Sequence, residues 1–413
     1  MVVVPLEQSA YDELIKDSVK FRSYLDGIVE KWPELFPEEI EDGYQLHGKR
    51  GSRKLKEVQL QRILLQRRDK EGQKIVLTIK PSAIMPYMSG YTDEVEKGLY
   101  LAHKHGVPAS ALAYVFGRSE SYWQRQSTHL GRYSMVETTV QTAEKMPKDL
   151  LADEKHSRIN GEKCYVATTV GNDCILGAGV SMSADEKGLM AAYETFQEEV
   201  EAVAPDYSPT TVNIDGWSAT QKVWQTLFPM VVIIECILHA FISIRSRCKK
   251  KHEAVWPEIQ DKFWDMYDAP SQVEFTIRLN AFQAWALDHL SGTALKAVNK
   301  LKRKSALFQQ WYNHSTARRT SNMLDRHMEP MDRMLQRRRY FHGHLSSAEL
   351  AVRAWSLAHN FLPYGNRSRI SDLWYSPVHK LNQSRYHDNW LHNLLVSTSH
   401  SRVILLSHQL REN

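Results

Sequence analysis

Residues 163–215 constrain the fold more than any other stretch of the chain. Lys163–Val170 is rich in β-branched and aromatic residues, and Gly171-Asn-Asp173 offers a turn. Cys174–Val180 and Ser181–Ser183 continue as strand-favouring runs. A helix is predicted over Asp185–Val203, after which Pro205 and Pro209 lead into Thr211-Val-Asn-Ile-Asp215. Three strands of antiparallel type, a helix and a fourth strand predict an α/β domain. The fourth strand ends in an acid, and Gly216 lets the chain turn at once. A carboxylate at the tip of a core strand is held rigidly yet faces solvent, which suits a metal ligand or a catalytic acid. The same pattern also serves an aspartate that only caps the next helix.

At 413 residues the chain exceeds the usual single domain, so two or three domains are expected. Residues 1–90 read as a small α+β or irregular module: a helix at Tyr11–Trp32, then alternating segments at Val58–Arg67 and Lys74–Lys80. Residues 91–147 carry a helix from Asp93 to Lys104, a break at Gly106-Val-Pro108, a short helix at Ser110–Phe116, a turn at Gly117 and a helix at Ser119–Leu130. That order is the helix-turn-helix pattern, although any small three-helix bundle shares it. On that reading Arg118, Ser119, Glu120, Ser121, Tyr122, Gln124, Arg125 and Gln126 face a DNA groove, and Trp123 packs inward.

Residues 148–362 hold the α/β region, interrupted over about 220–310 by a stretch that reads almost entirely as helix. Its most apolar run, Leu227–Phe241, is about 15 residues, short of the roughly 20 that a membrane span needs, and is predicted as buried helix. Ser321–Arg338 is expected to be helical with a kink or break at Pro330, and Ser346–Asn360 is a further amphipathic helix. Residues 363–413 form a tail with a helix at Trp390–Ser397. No leader pattern opens the sequence, and four cysteines make no disulfide framework, so a cytoplasmic location without membrane association is expected.

The net charge of +5 says little, but its distribution is uneven. Arg245, Arg247, Lys249 and Lys250, the run Lys300–Lys304, Arg318, Arg319, and Arg337–Arg339 all lie in the second half. Each run alone suits a solvated helix face. Together, with Trp311, Tyr312, Tyr340 and Phe341 among them, they favour a polyanionic partner.

Three acids stand at suggestive places: Asp153 on the approach to the first strand, Asp215 at the end of the fourth, and Asp325 on a late helix. Crowded carboxylates repel and stay ionised only with cations between them. Two divalent metals held this way activate a nucleophile and stabilise a leaving oxygen in phosphodiester chemistry. Mg²⁺ suits oxygen ligands and keeps waters for reaction.

With these segments in order the chain resembles DDE/D transposases of the bacterial insertion-sequence type. Asp153-Glu-Lys-His156 with Ile159-Asn-Gly161 resembles the first-acid region, and Val212-Asn-Ile-Asp215-Gly-Trp217 the second. Arg319-Thr-Ser-Asn-Met-Leu-Asp325-Arg is similar to the Thr-Asn-x-x-Glu segment, with Asp in place of Glu. Tyr340-Phe-His-Gly343 and Ala354–Phe361 resemble closing helices, and Cys236-Ile-Leu-His239 the Cys-x-x-His signature of Mutator-like elements. The resemblance implies an RNase H-like catalytic core with a helical insertion, preceded by a helix-turn-helix domain and the N-terminal module. It further implies Asp153, Asp215 and Asp325 as catalytic metal ligands, two Mg²⁺ ions (replaceable by Mn²⁺), element-end and target DNA as partners, and a homo-oligomer on paired ends. Glu329, one helical turn beyond Asp325, is the alternative third acid, and Asp332 a further candidate. Glu154 and His156 either orient metal or DNA or lie in an exposed charged turn. Cys236 and His239 either pack or share zinc with Cys248 and His252. A continuous helix would put the two cysteines 12 residues, about 18 Å, apart. A transposase-derived DNA-binding protein without activity, or a plain metal-dependent nuclease, would share most of these features.

Overall fold

A computed structural model describes residues 1–52, 55, 57–86, 89–248, 252–365 and 374–399. The fold is mixed α/β, with helices packed around two mixed sheets. In the first sheet, β1 (Val2–Val4), β2 (Tyr44–Gly51), β3 (Gln59–Arg68) and β4 (Lys74–Pro81) take the order β1-β4-β3-β2. The expected single helix at its start divides into α1 (Gln8–Leu14) and α2 (Ser18–Lys31), because the Asp17 carboxylate caps α2 through the backbone N–H groups of Val19 and Lys20.

The helical bundle follows as α3 (Thr92–His105), α4 (Ala109–Phe116) and α5 (Glu120–His129). Gly117 and Arg118 make the tight turn with φ of 73° and 66°, and Ser119 Oγ caps α5 by accepting from Tyr122 N–H at 3.2 Å. A short α6 (Met135–Thr139) leads to the second sheet.

Two hairpins open that sheet: β5 (Asp149–Ile159), β6 (Glu162–Gly171) and β7 (Cys174–Ser181). Their turns place Asn160 and Gly161 at φ 50° and 89°, and Asn172 and Asp173 at 47° and 66°. Paired positive φ values match the strand twist of a tight hairpin, and Asn, Asp and Gly adopt them at least cost. After α7 (Glu186–Val203), β8 (Thr211–Ile214) pairs parallel with β5. Beyond α8 (Ser218–Leu227), β9 (Val232–Glu235) pairs parallel with β8. The order is β7-β6-β5-β8-β9.

Two expectations about this sheet are corrected. The expected first strand, Lys163–Val170, is β6; Asp153 lies in β5, a strand that was not predicted ahead of it, and β7 ends at Ser181, so no separate strand forms at Ser181–Ser183. Helices cover both faces of β5, so Leu150, Leu151 and Ala152 are all buried and the alternation that marks a half-exposed strand is missing there. Leu227–Phe241 is likewise no single helix. It contains β9, because a short apolar run fits a fully buried strand as well as a buried helix.

On one face of the sheet α7 and α8 bury Leu189, Phe196 and Trp224 against Ala152, Ala167 and Ile214. On the other lie α14 (Asn322–Arg337) and α15 (Leu345–Phe361), packed over Leu151, Val166 and Ile175. Helix α14 runs unbroken past Pro330, so the helix does not end there. Between β9 and α14 stands the all-helical insertion: α9 (Ile237–Arg247), α10 (Trp256–Tyr267), α11 (Gln272–His289), α12 (Gly292–Arg303) and α13 (Ser305–Gln309). It has its own core around Phe263, Phe275, Leu279 and Phe282.

The C-terminal segment is more than a tail. Helices α16 (Pro377–Asn382) and α17 (Trp390–Ser397) join the core, and Ser399 Oγ bonds both the N–H and the carbonyl of Val3, at 2.9 and 3.0 Å. One hydrophobic cluster connects the N-terminal sheet, the α3–α5 bundle, α14, α15 and α17. Among the described residues, no helix is long and apolar enough to cross a membrane.

Candidate active site

Strand register brings the first two acids together. Ala152 pairs with Ile214 on adjacent parallel strands, so Asp153 and Asp215 are the next residues on each, beside one another. Asp215 Oδ1 accepts from Trp217 N–H at 2.9 Å, which folds the turn back on itself. The third acid arrives through stitched loops. Asn213 Nδ2 donates to the Arg318 carbonyl at 2.8 Å, and Ile237 N–H to the Arg319 carbonyl at 3.3 Å. Ser321 N–H donates to Cys236 Sγ at 3.2 Å, and Ser321 Oγ reaches Asp325 Oδ2 at 3.3 Å. The start of α14 is thereby fastened over the tips of β8 and β9. Asp325 occupies the first turn of α14, where the helix dipole favours a negative charge.

The charges of Asp215 and Asp325 both act on Asp153. Burial raises the Asp153 pKa, and the charge on Asp215 pushes it further. The Glu154 N–H (2.8 Å) and His239 oppose the rise, and Asp325 adds to it. None of the three carboxylates has a Lys or Arg ion-pair partner among the described residues. The donor set is oxygen-rich and negative, with His239 as its neighbouring cation, and carboxylate oxygens suit a hard divalent cation. Among the described residues, no three His, Cys, Asp or Glu side chains stand close enough to form a ready-made cage. A bound ion would have to draw the acids inward.

The other candidate acids lie elsewhere. Glu329 is exposed and pairs with Arg333 at 2.7 Å, and Asp332 pairs with Lys155 at 2.5 Å. Glu154 corrects the expectation of an exposed turn. It is buried on the opposite face of β5, where Tyr193 Oη and Thr220 Oγ1 each donate to Oε1 at 2.8 Å. Burial pushes its pKa up to about 7, the two hydrogen bonds oppose the rise, and Asp153 and Asp215 add to it. His156 is exposed, its ring parallel to Trp217 at 6.4 Å.

A pH dependence of stability follows for the metal-free chain. Because the folded pKa of Glu154 lies above its usual value, the protonated form supports folding. That support is complete below about pH 4.5 and drains away as pH rises through 7. Glu154→Gln keeps an oxygen for Tyr193 and Thr220 and has no proton to lose. Urea unfolding in a chelator is expected to show the variant equal to wild type near pH 4.5 and more stable at pH 8, by on the order of 2–3 kcal/mol. Equal slopes of stability against pH would refute this role.

Cys236 and His239 form a pair at the start of α9. Hydrogen bonding to Cys236 raises the His239 pKa to about 9, against desolvation. Burial works against the Cys236 thiolate, but bonds from His239 and Ser321 prevail and lower its pKa. Cys248 lies at the far end of α9, so the zinc alternative with Cys236 has no geometric basis.

The expected DNA-facing residues divide. Arg118, Ser121, Gln124 and Arg125 are exposed along the turn and α5, whereas Tyr122 and Gln126 are buried and contradict the expectation. Tyr122 sits one position from Trp123, and both rings fill the bundle core. Arg245, Arg247, Arg318, Arg337 and Arg338 are exposed, with Arg337 anchored on the His105 carbonyl. Arg319 is withdrawn. Its guanidinium lies 4.2 Å from the Tyr267 ring centroid and 4.4 Å from that of Trp311, and it donates to the Tyr267 carbonyl. Lys249 and Lys250 fall outside the described residues.

Sequence reasoning missed Ser321 and the pair Glu235–Lys304, which closes at 2.8 Å beside Asp215. Lys304 was hidden at the end of a basic run that otherwise faces solvent. The chain matches no protein-family model, and comparison with curated proteins finds no match.

Proposed function

We propose that the chain is a DNA transposase that cleaves strands at the ends of a mobile element and transfers the 3′-hydroxyl to target DNA with divalent metal. One observation carries the reading: Asp153 in the middle of β5 lies beside Asp215 at the tip of β8 and feels the charge of Asp325 in the first turn of α14, with a helical insertion between the second and third acids. A sheet ordered β7-β6-β5-β8-β9, with three antiparallel strands and two parallel, is the arrangement an RNase H-like core requires. Asp153, Asp215 and Asp325 would hold the ions. Bound Mg²⁺ or Mn²⁺ would supply Lewis acidity and an activated oxygen. The chain's own part is to orient the three carboxylates and to meet phosphates with Arg245, Arg247, Arg318, Arg337 and Arg338. The α3–α5 bundle, read as a helix-turn-helix, would present Arg118, Ser121, Gln124 and Arg125 to a groove.

The test is Mg²⁺- or Mn²⁺-dependent cleavage and joining of duplexes that carry the ends of the element encoding the chain. Joined products are expected. Cleavage without joining would leave a nuclease, and binding without cleavage a DNA-binding derivative. Within that assay Asp325→Asn is expected to lose at least about 100-fold in rate and Glu329→Gln less than about threefold, since only the former removes a charge from the shared site. The reverse ranking would reassign the third acid.

A further inference from the structure

Lys304 follows the last residue of α12, at the end of the basic run, but its ammonium turns inward across the junction between the insertion and the catalytic strands. It donates to the Gly216 carbonyl at 3.0 Å and to Glu235 Oε2 at 2.8 Å, and the Glu235 side chain is only 7% exposed. Gly216 is the residue immediately after Asp215. A β-carbon there would stand 2.5 Å from Glu235 Oε1 and 3.0 Å from Lys304 Nζ, so both clamp groups close tightly over the glycine. The junction borders a cavity of about 270 Å³ lined by Asp215, Trp217, His239 and Lys300 as well as the clamp itself.

We infer that Lys304 is a positioning residue for Asp215, through which the helical insertion holds the second acid in its working geometry. The turn Asp215-Gly216-Trp217 is fixed by two hydrogen bonds: the Trp217 N–H on the Asp215 carboxylate and Lys304 on the Gly216 carbonyl. The second comes from the end of the insertion, with Glu235 holding the ammonium that makes it. The insertion therefore acts on the site as well as spacing β9 from α14. Outer groups that orient a metal-ligating carboxylate set affinity as strongly as some ligands do. The inference rests on the proposed role of Asp215 as a metal ligand.

The test is Mn²⁺ binding to the full chain without DNA, followed by electron paramagnetic resonance, with melting temperature in parallel. The variant Lys304→Met/Glu235→Gln removes one charge of each sign, so the net field at the acids is little altered. Its Mn²⁺ affinity is expected to fall about 10-fold, with the melting temperature nearly unchanged. Placed on Asp215→Asn, the same pair of changes is expected to cost nothing further, because the residue it acts through is gone. If the pair does not fold, Lys304→Gln is measured in the same two backgrounds. Wild-type affinity in the variant overturns the inference alone, as does an equal loss with and without Asp215. No saturable Mn²⁺ binding by wild type overturns the proposed function, and this inference with it.

Discussion

Asp215→Asn is expected to lose metal-dependent DNA cleavage by about 1,000-fold or more while the chain folds at least as well as wild type. The substitution is nearly isosteric, and the asparagine oxygen can still accept from Trp217 N–H, so the turn keeps its shape. What disappears is a negative charge next to Asp153, on the neighbouring strand. Lewis-acid stabilisation by a bound ion contributes several kcal/mol to the barrier, and about 1.4 kcal/mol corresponds to each factor of ten. In the apo state the same change relieves repulsion. Asp153 should therefore titrate at lower pH in the variant, because Asp215 is the largest charge raising it. Cleavage assays, thermal melts in a chelator and carboxyl NMR titration read the three effects. Cleavage surviving in Asp215→Asn would sink the catalytic assignment, however well the geometry reads.

Arg353→Met is expected to destabilise the chain by about 3–5 kcal/mol, the range for stranding one partner of a buried ion pair. Arg353 on α15 and Glu199 on α7 meet at 2.5 Å with exposures of 1% and 2%. The guanidinium also donates to the Gly131 and Tyr133 carbonyls, at 3.1 and 2.9 Å. Glu199 Oε2 accepts from Ser134 Oγ and Val136 N–H, at 3.1 and 3.0 Å. This network ties the segment between the α3–α5 bundle and the sheet to helices on both faces of the sheet. Removing the arginine leaves a carboxylate in the interior and two carbonyls without their donor. Arg353→Met/Glu199→Gln should recover part of the loss, since no charge is then stranded. Urea unfolding of the three chains measures both effects. A loss below about 1 kcal/mol in Arg353→Met would show that water or rearrangement satisfies Glu199, against its burial.

Sequence reading placed the local elements well wherever the signal is itself local. The helices at α3, α4, α5, α15 and α17 follow from spacing, caps and breakers. The tip position of Asp215 follows from a β-branched run stopped by glycine, and the second hairpin turn was legible in Gly171-Asn-Asp173. Neither β9 nor β5 was legible: β9 and the start of β5 are covered on both faces and lose the period-two pattern that announces a strand.

The sequence alone determined the mixed α/β class, the rank order of the acids along the chain and the helical character of the insertion. Only the tertiary structure decided which acids lie near one another. Register between β5 and β8 sets Asp153 beside Asp215, and the Ser321–Cys236 contact delivers Asp325 while Glu329 turns to Arg333. It also decided which charged residues face inward: Arg319 among its aromatic rings, Lys304 against Gly216, and Glu154 behind the sheet. The physical reason is range. Propensity and capping act over a few neighbouring residues, whereas burial and Coulomb interactions depend on partners tens to hundreds of positions away. Letters that read alike along the chain, such as Arg303 and Lys304, acquire different environments only when distant segments close over one of them.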